Sequence, residues 1–239
     1  MTVGMSVSPD AEYSEVSLLG RMCPRRTIAI GDIHGHADAL TGLLRLVEPR
    51  QDDTVVFLGD YVSRGPDSRE VLQTVIDLGR RCRVVALRGN HEEMLLDSRR
   101  NPVALASWVA VGGDATLVSP PSSQAWRALD DGQWSFVAGL PNFHETDDHF
   151  FIHANYAPNR PINGPDSQTA LWLPLEPPPG PHYSGKTAIV GHTPQFDGDV
   201  LNLGHLVCID TGCGLGGILT AFEPASGRLW QVDERGRSA

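Results

Sequence analysis

Long hydrophobic runs are missing from this sequence. No stretch of its 239 residues approaches the roughly 18 consecutive apolar residues that a membrane-spanning helix needs. Basic charge is also scarce: Lys plus Arg number 19 against 29 Asp plus Glu, a net charge of −10. A general nucleic-acid binder, or a protein that docks on anionic lipid, needs a basic surface, so neither class is expected. Cysteine is rare, with Cys23, Cys82, Cys208 and Cys213 forming no CxxC pair. That excludes a disulfide framework or a zinc ribbon and reads as reduced thiols of a cytoplasmic protein, mostly filling core. The first twenty residues lack the basic n-region and apolar h-region of a secretory signal. What is present is ordinary globular composition, 41% apolar and 20% charged, at a length that carries one large domain or two small ones.

Residues 1–26 show no periodicity and read as an N-terminal extension, and a single domain is expected over 27–235. Thr27-Ile28-Ala29-Ile30, Thr54-Val55-Val56-Phe57-Leu58 and Arg83-Val84-Val85-Ala86-Leu87 are short apolar runs that stop at Gly31-Asp32, Gly59-Asp60 and Gly89-Asn90, the pattern of buried strands. Between them Leu40, Leu43, Leu44 and Val47 recur at helical spacing. Asp67 with Glu70 makes a capping-box start for a second helix buried through Val71, Leu72, Val75 and Ile76. Strands alternating with helices predict right-handed crossovers and a largely parallel sheet. The region 91–140 is helical in character with a break at Gly112 and Gly113. Phe150–His153 is a fourth strand. Residues 157–186 hold eight prolines and are expected to sustain neither helix nor central strand, forming a long excursion. Four further strands are expected at 187–190, 206–209, 218–221 and 229–232, the last three antiparallel because no helix separates them.

The informative residues stand where strands end. Asp32 and His34 follow the first run, Asp60 the second, Asn90 and His91 the third; His153 ends the fourth and His192 follows Val190-Gly191. Ligands of open α/β sheets collect outside the carboxyl ends of the strands, so these residues are expected to converge on one edge. Alone, each has a plain reading: a strand-end Asp is usually a turn or helix cap, a His beside Gly is usually structural, and Gly-Asn is a turn signal. Five separate strand ends carrying such residues together point instead to a site. Imidazole, carboxylate and one amide suit borderline ions such as Mn, Fe or Zn over Ca or Mg.

The blocks GDIHG (31–35), GDYVSRG (59–65), GNHE (89–92), His153 in HAN and His192 in GHTP resemble, in order, the signature of the metallophosphoesterases, in particular their phosphoprotein phosphatase branch of the bacterial and bacteriophage-lambda type. With the C-terminal 209–220 segment, the resemblance spans about 27–222. It implies an α/β fold, an αββα sandwich of mixed, mainly parallel central sheets with helices outside. It implies two divalent metal ions, Mn2+ first with Fe or Zn as alternatives, held by Asp32 and His34 on one side, bridged by Asp60, and held by Asn90, His153 and His192 on the other. His91 would protonate the leaving oxygen and Arg64 would hold the phosphate. The implied activity is phosphoester hydrolysis on a phosphorylated protein or small phosphoester, most simply by a serine/threonine phosphatase-like phosphomonoesterase. A diadenosine tetraphosphate hydrolase is the alternative, and an inactive scaffold of the same fold is the alternative from another class, disfavoured because all these residues are retained.

Two positions depart from the pattern. Ser63 stands where protein phosphatases usually carry an Asp that pairs with the catalytic His, as an uncharged residue does in the tetraphosphatase relatives, and it is expected beside His91. Pro174 stands just after Trp172 where an Arg often serves as a second phosphate clamp; Arg160, His182 and Lys186 are candidates to replace it, Lys186 first. Trp172 reads as an anchor of the excursion more readily than as a stacking platform, and Asn155-Tyr156 either line the pocket or make a turn.

Overall fold

The computed structural model describes residues 25–118, 129–162, 164 and 166–239; most of the expected extension over 1–26, with Cys23, lies outside the described residues. The first three apolar runs form strands β1 (Thr27–Ile30), β2 (Thr54–Phe57) and β3 (Arg83–Ala86), parallel, with Ile30 beside Phe57 and Phe57 beside Ala86. The crossovers are α1 (Ala37–Val47) and α2 (Ser68–Leu78). The Asp67 carboxylate accepts the Glu70 N–H at 3.1 Å, satisfying one of the donors a helix start leaves open. The helical middle resolves into α3 (Asn90–Ser98), α4 (Pro102–Trp108), a π-helical turn (Val109–Gly113), α5 (Asp114–Val118) and α6 (Asp131–Ala138). The expected break falls in that turn, where Gly112 takes φ +99°, a conformation glycine adopts without Cβ strain.

The second half contributes β4 (Phe143–Glu145), β5 (His149–Ile152), α7 (Ser167–Trp172), β6 (Thr187–Val190), β7 (Leu201–Asn202), β8 (Leu206–Cys208), β9 (Ile218–Glu223) and β10 (Arg228–Asp233). One sheet has the order β10-β9-β1-β2-β3 and the other β4-β5-β6-β8-β7. In the first, β1, β2 and β3 are parallel and β9 and β10 add antiparallel on the β1 side. In the second, a parallel centre β5-β6-β8 is flanked by the antiparallel edges β4 and β7. Three expectations are corrected. β8 runs parallel to β6, because the segment between them crosses over without a helix; only β9 and β10 pair antiparallel as expected, and they join the first sheet. The proline-rich excursion does hold a helix, α7, in its proline-free part, capped by the Asp166 carboxylate on the Thr169 N–H. The edge strands β4 and β7 were not expected, since two or three residues carry no readable period.

Period-two alternation sorts the strand side chains into layers. Ile28, Ile30, Val55 and Phe57 face helices α1 and α2, whereas Ala29, Val56 and Leu58 face the second sheet. Phe151, Ile189 and Val207 meet them from that sheet. Phe150, Ile152, Ala188, Val190 and Leu206 face outward onto Leu171 of α7 and Leu175 of the excursion. The outcome is the αββα sandwich, with α7 and the proline-rich chain as its second outer layer. Cys82, Cys208 and Cys213 are buried and free. Residues 236–239 fold back on β10, the Ala239 N–H donating to the Gln231 carbonyl at 3.1 Å. Among the described residues no helix is long and apolar enough to cross a membrane.

Candidate metal centre

The carboxyl ends of β1, β2 and β3 are bound to one another directly. The N–H groups of Ile33 and His34 both donate to the Asp60 carbonyl, at 3.1 and 2.8 Å. This interlocking forces an unusual backbone: His34, Asp60, Ser63, Arg64 and His192 have φ of +48°, +51°, +75°, +68° and +65°. Non-glycine residues avoid this region, and such strain gathers at functional sites. Glu92 staples the Asp60 loop, its carboxylate accepting N–H groups from Asp60 and Tyr61 at 2.8 Å, Gly89 at 2.9 Å and Val62 at 3.3 Å. Burial and the Asp60 charge push the Glu92 carboxyl up to about 8, while those donors pull the other way.

Asp60 lies between two sets of ligand atoms. Its Oδ2 is 3.5 Å from His34 Nε2 and 4.0 Å from His91 Nε2; its Oδ1 is 3.5 Å from His153 Nε2. His153 Nε2 is also 3.0 Å from the Asn90 Oδ1. Ligand atoms of His34, Asp60 and His91 gather within 4.8 Å of one another, and so do those of Asp60, His153 and His192. Backbone carbonyls set which ring nitrogen faces inward. His34 Nδ1 lies 3.1 Å from the Val62 carbonyl and His153 Nδ1 2.8 Å from that of Leu58, so each donates there and presents Nε2 as a lone pair. His192 is the reverse: its Nε2 is 3.2 Å from the Trp172 carbonyl, leaving Nδ1 for the cluster.

The charge state suits ligation. Burial lowers His34 to about 3 and His192 to about 4, and also lowers His153, so these three rings are neutral donors at pH 7. Burial works to raise Asp60, but His153, His91, His34 and His192 outweigh it and hold its carboxyl below the ordinary range. Asp32 is raised by burial, by Asp210 and by Asp60; Asp210 is pushed up to about 7 by burial and by Asp60. Three buried carboxylates that repel one another, beside lone pairs pointing at a common space, are a site that wants cations. The residues therefore fit a pair of divalent ions.

Asp32, His34, Asp60, Asn90, His91, His153 and His192 all come to this edge. Asp32 turns both oxygens toward the His192 N–H, at 3.2 Å each. Arg64 joins them, its Nη1 3.0 Å from His34 Nε2. Sequence reading missed Glu92 and Asp210. The signal for Asp210 was there, since it follows strand β8 as the other acids follow theirs.

Several expected contacts are not made. Ser63 is fully buried, but its Oγ accepts the Trp108 indole N–H at 2.9 Å, and His91 Nδ1 is buried with no hydrogen-bond partner among the described residues. Lys186 is no phosphate clamp: its Nζ binds Glu145 Oε1 and the Thr146 carbonyl, both at 2.7 Å, at the amino end of β6, the end opposite His192. His182 is buried, with Nε2 on the Arg160 carbonyl and Nδ1 on Ser184 Oγ. Arg160 lines a small cavity with Tyr156, Ile162 and Asp166, formed largely by the excursion itself. Asn155 and Tyr156 pin the proline-rich chain, through the Pro174 carbonyl at 3.0 Å and the Gly180 carbonyl at 2.9 Å. Trp172 is an anchor, its indole N–H donating to Glu93 Oε2 at 2.5 Å while its carbonyl orients His192.

A family model described as calcineurin-like phosphoesterase matches residues 25–208, and the chain belongs to that family. A symmetrical bis(5'-nucleosyl)-tetraphosphatase of Nitrosomonas europaea is 35% identical over 134 residues, 56% of this chain and 46% of that protein. The serine/threonine-protein phosphatase 1 of Salmonella typhimurium is 39% identical over 92 residues, 38% of this chain and 40% of that one. The matched segments thus span less than half the length of these curated relatives. Among solved structures, a protein provisionally assigned as a diadenosine tetraphosphatase superposes with TM-score 0.68 at 22% identity, over 87% of this chain and 93% of that one. A cold-active protein tyrosine phosphatase gives 0.61 at 18%, over 90% and 78%. At these identities the likeness is one of fold.

Proposed function

We propose that this chain hydrolyses phosphoesters with two divalent metal ions, and that its substrates are phosphomonoesters of the serine/threonine phosphoprotein kind. The observation that carries the reading is Asp60, whose two oxygens face separate imidazole groups, with Arg64 alongside. The ions, Mn2+ in our reading, neutralise phosphate charge and activate water when bound. Asp32, His34 and Asp60 hold one; Asp60, Asn90, His153 and His192 hold the other. Arg64 offers a planar fork of donors to the phosphate oxygens. His91, in its imidazolium form, gives a proton from Nε2 to the leaving oxygen. The buried free thiols Cys82, Cys208 and Cys213 fit a cytoplasmic setting.

A second reading, hydrolysis of a dinucleoside polyphosphate, is favoured by one observation: among the described residues His91 Nδ1 has no partner, and so no acid that would support its imidazolium. A phosphoanhydride leaves with little protonation, so a weakly supported acid suffices there, whereas a serine alkoxide needs the proton. The test is one panel on metal-loaded protein: phosphoserine and phosphothreonine peptides, p-nitrophenyl phosphate and diadenosine tetraphosphate. Peptide turnover above tetraphosphate turnover sustains the main reading, the reverse order establishes the second, and no turnover of any of them ends both.

A further inference from the structure

Ser63 and Arg64 are two consecutive non-glycine residues in the left-handed region, and several of the contacts that hold them there come from outside the metal edge. The chain from α4 through the π-helical turn to α5 packs over them. The Trp108 indole N–H donates to Ser63 Oγ at 2.9 Å. The Ser63 N–H donates to Thr116 Oγ1 at 2.8 Å, and the hydroxyls of Thr116 and Ser68 share a hydrogen bond of 2.9 Å. The Arg64 N–H donates to the Gly112 carbonyl at 2.8 Å. Trp108, Ser63, Ser68 and Thr116 are all buried. Gly112 lies so close that a Cβ there would come within 2.9 Å of Arg64 Cγ.

We propose that Trp108 is the positioning residue for Arg64, acting through Ser63. This rests on the reading of Arg64 as the phosphate donor. A guanidinium is a rigid planar fork, so its usefulness depends on where the backbone aims it. The Arg64 backbone sits in a strained conformation that persists only while its neighbours over-determine it. The indole N–H fixes the Ser63 side chain, the Thr116 hydroxyl fixes the Ser63 backbone, and the Gly112 carbonyl fixes Arg64 itself. Of these three contacts, the Trp108–Ser63 bond joins two side chains and can be removed without touching the main chain.

The test is competitive inhibition of p-nitrophenyl phosphate hydrolysis by inorganic phosphate in metal-loaded wild type, Trp108→Phe, Ser63→Ala and the double variant, with metal content measured on each. The phosphate Ki is expected to rise roughly fivefold in either single variant, the scale of one buried hydrogen bond. Metal content stays at the wild-type value, and the double variant is no worse than a single one, because both remove the same bond. A role confined to stability would lower the melting temperature and leave Ki alone. An unchanged Ki in folded, metal-loaded Ser63→Ala overturns the inference, as does an additive double variant; Ser63→Ala decides the matter if Trp108→Phe does not fold. Wild-type protein that holds two metals yet ignores phosphate removes the reading of Arg64, and the positioning role with it.

Discussion

At the scale of single residues, Asp60 does what no neighbour can replace, because its two oxygens face different imidazoles. Asp60→Asn puts an NH2 group toward one of them, so bound metal is expected to fall from about two ions per chain to less than one, as read by elemental analysis after gel filtration. His91 shares a ligand-atom group with His34 and Asp60. Metal content therefore separates its two conceivable roles. His91→Asn is expected to keep both ions and to lower kcat by roughly 10²–10⁴-fold for alkyl phosphates, with a smaller loss for p-nitrophenyl phosphate. An equal loss on both substrates would argue against proton donation, and a lost ion would make His91 a ligand. These residues were legible in the sequence because each ends an apolar run, a property that one dimension records. Glu92 was not, since its work lies in accepting N–H groups from 60–62 across a loop, and no spacing announces that.

At the scale of elements, strand direction decides more than proximity in sequence does. Lys186 precedes β6 and His192 follows it, and six residues of extended chain span about 20 Å. Lys186→Ala is accordingly expected to leave KM for p-nitrophenyl phosphate unchanged; a rise would mean that the lysine reaches the metal edge after all. The start of β1 is fastened by Arg26, whose guanidinium binds the Asp53 carboxylate just before β2 and the Val47 and Glu48 carbonyls at the end of α1. Asp53 is buried, and removing it takes away the carboxylate that accepts from the Arg26 guanidinium and from the Arg50 N–H. Asp53→Ala is expected to cost about 3 kcal/mol in urea unfolding, the scale of a broken buried pair. The parallel strands were legible as apolar runs closed by Gly-Asp or Gly-Asn. α7 and the direction of β8 were not, because a six-residue helix between prolines and a helix-free crossover are settled by what they pack against.

At the scale of the whole molecule, proton uptake governs acid stability. Burial lowers His34, His36, His91, His144, His149, His153 and His192, seven rings that take up protons near pH 6.5 when unfolded but resist when folded. Asp32, Glu92 and Asp210 are raised and work in the opposite direction, but they are three against seven. The unfolded chain thus binds more protons as pH falls below about 6.5, so the metal-free protein is expected to lose stability from there toward pH 4. Urea midpoints measured in chelator at pH 7.5 and 5 check the sign, and a midpoint that rises on acidification would refute it. The order of the first sheet has a further consequence, for biosynthesis. Strand β1 leaves the ribosome before β9, yet β9 is its antiparallel neighbour, and the Gly31 N–H donates to the Thr220 carbonyl at 3.1 Å. Every residue assigned to the metal centre precedes β9 in the chain. A nascent chain halted before Ile218 carries every residue assigned to the metal centre while the edge of β1 stands open to any strand nearby. Translation thus completes the chemistry of this molecule before it completes the fold that aligns it.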